Sequence, residues 1–530
     1  MDRNRVLPFV FVAAIGVSSM YLSDIEARLN TDILHWGLIF SSAQDLVLGR
    51  TPFRETYEIY GLLSSVLNAA GFLALGSTLV SLGHITSFFY ASNLVLSYLV
   101  GRRFLHPWVA VFVPLFMFLL HPYVIFPWPN YPSYTFYLGT VYFLLRTGRH
   151  SLLIAGILFT ASILTRHTMA LSIAPPVVSF LVLRWWQQKT APDSSRESVF
   201  RFVIGAALPA VTFLAFLVFS DLVGEWARQV FAINSTLLRS VEGQRRYGSI
   251  FEFARPFVSK MYLGQDGSMR AMFLALMAWC ATGYVIKDVV TLIRRGRPTR
   301  AEIDSLLVGS SALFGFFQGA HFFNIFRVVN AASLGIILVV RMAEALCGAL
   351  FAPGRRSAIA GLTLGAFVLS TNLLDNPGIA NWKTFTASSP WPDDFRDRTS
   401  GPYRGSVRLL HGKAWPGPMI AYVERSQSVL RSAKACGSST LINTSVDPLL
   451  PYLVEDVAKA QREAGRIKRR GSDLIFPDEV RLREELLTRE DAILATGSPA
   501  EVPENYEVLA RVGAASFAVP RGCLGPEGGF

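Results

Sequence analysis

Long apolar runs separated by short polar turns, many of them basic, dominate the chain as far as residue 375, after which Pro, Asp, Arg and Ser take over. The first run, Val6–Leu22, follows Arg3 and Arg5 and is not followed by a small-residue cleavage pattern, so it reads as a retained first helix running outward. Leu62–Leu82 is apolar but broken by Asn68, Gly71, Gly76 and several serines. If it crossed the membrane, Arg102, Arg103 and the later basic turns would fall outside, so it reads as an interfacial or re-entrant helix. His84–Gly101 is then the second span, followed by Trp108–Phe126, Tyr134–Leu145, Leu152–Thr165, Met169–Leu183 and Phe202–Phe219. Ala271–Ile293, Leu306–Phe317, Val328–Val340 and Ala358–Leu374 complete the pattern. The expected architecture is an α-helical polytopic membrane protein of about eleven spans with juxtamembrane helices, several spans falling short of the roughly 20 residues of a full crossing.

Beyond Asp375, short β-like runs (Thr440–Asn443, Ala492–Thr496, Ser516–Val519) alternate with a charge-rich helical stretch, Val454–Lys468. They predict a small C-terminal α/β domain on the extracytoplasmic side. The expected division is therefore 1–375 for the membrane domain, with a first extracytoplasmic loop over 23–83, and 376–530 for a soluble domain. That domain shows no phosphate-binding glycine loop, nucleophile elbow or zinc spacing.

Composition supports the bilayer. The 530 residues are 51% hydrophobic and only 17% charged, with 39 Phe. A net charge of +12 would suggest nucleic acid in a soluble protein, but no basic face interleaved with aromatics occurs, and the cations sit at helix ends, facing anionic lipid. The expected place is the cell inner (plasma) membrane, multi-pass, with the C-terminal domain periplasmic. Cys280 and Cys347 lie in apolar runs, whereas Cys436 and Cys523, in the polar tail, could pair in an oxidising compartment.

The candidate chemistry gathers in the polar interruption Asn30–Gly61, which carries Asp32, His35, Glu55 and Glu58. Asp32 and His35 share a helix face, and an acid just outside the membrane beside Trp36 suits a general base acting on an acceptor hydroxyl. The structural alternative is that Asp32 caps the helix starting at Ile33. Further on, Thr165-Arg166-His167 closes one outward run and Arg327, after His321, opens an inward one. Arginine suits a phosphate through bidentate charge-assisted hydrogen bonds, while simple interfacial snorkelling is the alternative for each.

With Asp32, Gly49-Arg50-Thr51-Pro52-Phe53 and Tyr57-Glu58-Ile59-Tyr60-Gly61 in order, this loop resembles the first extracytoplasmic loop of the GT-C class of integral-membrane glycosyltransferases. Gly156–Met169 and His321–Arg327 are further similarities, and the resemblance covers roughly residues 1–375. It implies a sugar transferred from a polyprenyl-phosphate-linked donor to a glycan, lipid or protein acceptor. Asp32 would be the base, Arg166 and Arg327 would hold phosphate, and His35, Glu58, Tyr60, His167 and His321 would bind substrate. Many members carry two adjacent acidic residues in this loop, whereas Asp32 lies between Thr31 and Ile33. A divalent cation therefore stays open, as does a second carboxylate from Asp24, Glu26, Glu55 or Glu58. The competing class is a transporter or flippase, which would place ionisable residues deep within spans, where they are sparse here.

Overall fold

The computed structural model describes residues 3–350 except 31, 57, 59, 122, 191–198, 234–249, 265–268 and 320–324. In the C-terminal part it describes 402–414, 417–435, 440–444, 449–454, 492–496, 502–512 and 515–521. Helix α1 (Arg3–Leu29) outruns its apolar stretch because polar residues extend it, Arg28 bonding Asp24 one turn back at 2.9 Å. After a short turn, α2 (Ile33–Val47) starts at the Asp32 cap and ends before Gly49, which has a φ of +76°.

The Leu62–Leu82 run does not form one helix. It divides into α3 (Leu62–Leu75) and the start of α4 (Leu79–Gly101), so the second long helix begins at Leu79 and not at His84. The reason is local: Gly76 adopts φ +84°, which stops α3, and the Thr78 side chain accepts a bond from Ser81 N, which starts α4. The Trp108–Phe126 run is likewise shorter than expected, forming α5 (Pro107–Ala110) and α6 (Phe112–Leu120). His121 precedes a proline and takes φ −153° and ψ 83°, outside the helical region, so the chain leaves the helix there.

Helix α1 packs along α4, α4 against α7 (Asn130–Leu144), α7 against α8 (Ser151–Thr165), and α8 against α10 (Val199–Phe219). At the last crossing Gly156 faces the backbone at Phe202 and Gly205 faces that at Leu153, with no room for a methyl at either. Small residues let the two backbones touch, and Thr160 Oγ1 donates across the contact to the Ala206 carbonyl at 2.8 Å. Helix α9 (Ala170–Thr190) packs on Arg300–Gly315, which also lies against Met269–Arg295. The expected Val328–Val340 span is two helices, Ile325–Ala331 and Gly335–Leu350, broken by a turn at 332–334.

Among the described residues five helices are long and apolar enough to cross a membrane: Val6–Leu29, Leu79–Gly101, His167–Lys189, Val199–Phe219 and Arg270–Arg295. Shorter apolar helices cover Leu62–Leu75, Pro107–Leu120 and Ser151–Thr165. Among the described residues these long and shorter apolar helices account for part of the about eleven spans read from hydropathy, several of which were expected to be short; the last expected run, 358–374, lies outside the described residues.

The C-terminal part contains helix Gly417–Ala435 and a sheet of β1 (Thr440–Thr444), β2 (Ala492–Thr496), β3 (Tyr506–Val512) and β4 (Ala515–Pro520). The strand order is β1-β2-β4-β3, with β1 parallel to β2 and the other pairs antiparallel. The pattern reading anticipates β1, β2 and β4 but misses the edge strand β3, whose residues are mixed in burial. Residues 455–468, Cys436 and Cys523 lie outside the described residues. The C-terminal elements share one core with the start of the chain: Val407, Leu410, Val423 and Leu450 pack in the same cluster as Trp36, Phe40, Phe72 and Leu82.

Candidate active site

The interruption between α1 and α3 carries the site, and three separate elements fix its shape. At its start, Asp32 does cap α2, its Oδ1 accepting from His35 N at 2.9 Å. The cap occupies only part of the carboxylate. Oδ2 lies 2.6 Å from His35 Nδ1, and both side chains remain about a third exposed, 29% for Asp32 and 30% for His35. The Asp32 amide donates to Asn30 Oδ1 at 2.8 Å, while Asn30 Nδ2 bonds Glu26 and the Ile125 carbonyl. The carboxylate thus stands on a hydrogen-bonded base reaching into the segment after Leu120.

That segment supplies an aromatic platform. Phe126 and Trp128 stack with centroids 5.1 Å apart, and the His35 ring lies 4.8 Å from Phe126 and 6.1 Å from Trp128. Arg327 comes to the same indole, its guanidinium carbon 4.3 Å from the Trp128 centroid. His35, which bonds Asp32, and Arg327 therefore meet at Trp128.

The second half of the interruption, residues 50–61, is clamped from another direction. Gln229, in a π-helical turn after α10, accepts from Glu58 N at 3.0 Å and donates to the Phe53 and Thr56 carbonyls at 2.6 and 3.2 Å. Phe53 is fully buried with a φ of +62°, a conformation costly for a non-glycine residue and held here by this clamp. Arg54 adds an ion pair to Glu225 at 3.1 Å.

The result is a small cleft lined by Ile39, Ser42, Glu58, Tyr60, Gly61, Ser64, Ser65 and Pro129. Glu58 is 3% exposed and accepts from the Thr56 and Ser65 hydroxyls. Gly61 lies against the backbone of Leu164 and Thr165, where a methyl would collide, so this position brings the loop onto the end of α8.

Arg166 follows that end and lies over the Tyr60 ring at 5.6 Å, with Nε donating to Thr168 Oγ1 at 2.9 Å. It is 7% exposed. Burial, with a smaller push from the like charge of Arg327, moves its pKa down to about 10, so it remains a cation at neutral pH. His167 N donates to the Tyr60 carbonyl at 3.1 Å, and His167 Nε2 is buried with no hydrogen-bond partner among the described residues.

The structure thus gathers the expected residues in two adjoining groups. Glu58 and Tyr60 line the cleft, with Arg166 over the Tyr60 ring and His167 bonded to its carbonyl, while His35, paired with Asp32, and Arg327 lie against Trp128, the neighbour of Pro129 in the cleft wall. His321 lies outside the described residues. Of the other carboxylates considered, Asp24 bonds Arg28 and His84, Glu26 bonds Asn30, and Glu55 accepts from Thr51 N. Among the described residues no three His, Cys, Asp or Glu side chains gather as a metal site. Sequence reasoning assigned no role to Trp128, Gln229 or Lys413, which act on the loop through tertiary contacts that no local pattern announces.

No protein-family model matches the chain, and no curated protein matches it significantly in sequence. Among solved structures it is similar to ArnT from Cupriavidus metallidurans bound to undecaprenyl phosphate, with a TM-score of 0.53 at 15% identity, covering 98% of this chain and 99% of that one. It is also similar to the archaeal oligosaccharyltransferase AglB from Archaeoglobus fulgidus in complex with an inhibitory peptide and a dolichol-phosphate. That TM-score is 0.44 at 11% identity, over 93% of this chain and 69% of that one. With the ArnT likeness spanning both chains almost end to end, this protein has the fold of the GT-C class of integral-membrane glycosyltransferases.

Proposed function

We propose that this protein transfers a hexose or pentose from a polyprenyl-phosphate donor to a glycan, lipid or protein acceptor on the extracytoplasmic face of the inner membrane. Residues 1–375 form the transferase domain in this reading, and 376–530 a periplasmic domain. Asp32 takes the proton of the acceptor hydroxyl, the freed oxygen attacks the anomeric carbon, and the bond from that carbon to the phosphate oxygen breaks. A single displacement of this kind inverts the anomeric centre. The departing polyprenyl phosphate gains negative charge, which Arg166 and Arg327 stabilise. His35 orients the Asp32 carboxylate, and Glu58, Tyr60 and His167 shape the sugar site.

The observation that carries this reading is the pairing of each cation with an aromatic beside one cleft: Arg166 over Tyr60 at 5.6 Å and Arg327 over Trp128 at 4.3 Å, with the Asp32–His35 pair against the same Trp128. Each aromatic face holds a guanidinium beside the loop, and a guanidinium suits a phosphate through charge-assisted hydrogen bonds. The fold adds support, since ArnT carries a polyprenyl phosphate. To test it, Asp32→Asn is assayed for transfer from a radiolabelled lipid-linked sugar in detergent. Loss of roughly three orders of magnitude in kcat is expected of a missing base; full activity would remove Asp32 from the reaction.

A further inference from the structure

Lys413 belongs to the C-terminal part of the chain, yet its ammonium lies beneath the start of the first loop. The side chain is fully buried, 0% exposed. Nζ donates to the Ala27 carbonyl at 2.6 Å and the Asn30 carbonyl at 2.9 Å and sits 4.8 Å from the Trp36 ring centroid. Ala27 is in the last turn of α1, where helix carbonyls lack backbone donors and the helix dipole favours a cation. An ammonium has three donors on a narrow stem, so it can bond two carbonyls in a space with no solvent.

The contact continues to Asp32 through a series of hydrogen bonds. Lys413 holds the Asn30 carbonyl, Asn30 Oδ1 receives the Asp32 amide at 2.8 Å, and the Asp32 carboxylate receives the His35 amide. Lys413 is itself fixed in a tight backbone exchange: Tyr403 N donates to the Lys413 carbonyl at 2.8 Å and Gly412 N to the Tyr403 carbonyl at 3.0 Å. Ala414 N donates to the Arg28 carbonyl at 3.0 Å, and Tyr403 Oη to Glu424 on helix Gly417–Ala435 at 2.9 Å.

We infer that Lys413 is a positioning residue for Asp32, through which the C-terminal part of the chain holds the carboxylate in its working place. The inference rests on the role proposed for Asp32. It gives the C-terminal part a task in the reaction itself: without the ammonium the Ala27 and Asn30 carbonyls lose their buried donor, the turn at Asn30 relaxes, and Asp32 and His35 move together. A misplacement of about 1 Å at the reacting group can cost on the order of 100-fold in rate.

Lys413→Met keeps the apolar stem and removes the donors. We expect kcat to fall roughly 10- to 100-fold with the KM for lipid-linked sugar within about twofold of wild type. Lys413→Gln, which keeps a donor on a shorter reach, is expected between the two. Hydrogen–deuterium exchange supplies a readout independent of activity: peptides spanning 30–36 should exchange at least tenfold faster in Lys413→Met, while those from α4 keep the wild-type rate. Wild-type kcat and wild-type exchange at 30–36 in a folded Lys413→Met overturn the inference. If that variant does not fold, a folded Lys413→Gln decides: wild-type kcat and exchange overturn it, and intermediate values uphold it. Faster exchange at 30–36 together with a fully active Asp32→Asn would instead remove the proposed role of Asp32, and with it the link from Lys413 to catalysis.

Discussion

Arg327 lies over the face of Trp128, its guanidinium carbon 4.3 Å from the ring centroid, and His35 meets the same indole at 6.1 Å in an edge-on contact. One tryptophan therefore joins a cation from helix Ile325–Ala331 to the histidine that bonds Asp32. Arg327→Ala is expected to raise the KM for the lipid-linked donor roughly 10- to 100-fold, as loss of a hydrogen bond to a charged group does. Trp128→Leu, which keeps the volume apolar but removes the stacking face, is expected to raise it about 2- to 30-fold. Steady-state kinetics with donor varied and acceptor saturating measure both.

Arg166 provides a pH test with a definite sign. Burial disfavours its charged form and brings its pKa down to about 10, so the proposed phosphate site keeps its cation in wild type across the neutral and mildly alkaline range. A lysine there would meet the same burial from an ordinary value of about 10.4, and its charge would be lost from about pH 8 upward. Arg166→Lys should bind donor increasingly poorly between about pH 7.5 and 9.5, a range in which wild type stays flat. Parallel pH profiles for the two proteins would contradict this.

Gln229 is buried and holds the Glu58 amide together with the Phe53 and Thr56 carbonyls. Gln229→Leu keeps the volume and leaves those groups without their side-chain partner, a cost of about 1–3 kcal/mol for each group that stays buried. Thermal unfolding in detergent should show a lower midpoint, and kcat/KM should fall as Glu58 and Tyr60 leave the cleft wall.

The ion pair between Arg50 and Asp45 is 2.8 Å long with both side chains almost completely buried, and Tyr452 Oη donates to the same Asp45 oxygen at 2.6 Å. Arg50→Met removes a cation beside a buried carboxylate and is expected to cost about 3–5 kcal/mol of stability. Tyr452→Phe removes one hydrogen bond and should cost about 1–3 kcal/mol. Stability measurements on the purified variants should keep that order; the reverse would mean that the C-terminal contact outweighs the ion pair.

Much of this protein is written locally. Apolar runs mark the helices because a backbone in hydrocarbon must bond internally, which only a regular helix of apolar side chains does within a single segment. Asp32 before Ile33 signals a cap, and the structure shows that cap, because capping involves residues only three apart. The break at Gly76 and the early end of the helix at His121 were also within reach of local rules, yet the hydropathy of Leu62–Leu82 and Trp108–Phe126 masked them. Hydropathy averages over a window, whereas a glycine stop or a residue before proline acts at one position.

By itself the sequence determined that the chain is a multi-pass membrane protein, and it marked the loop after the first helix as the place of the candidate chemistry. Only the tertiary structure decided which side chains hold that loop. Gln229 reaches Glu58 across 171 residues and Lys413 reaches Asn30 across 383. Such contacts leave no periodic trace, because a buried donor is selected by the carbonyl that packing brings to it and not by its neighbours along the chain.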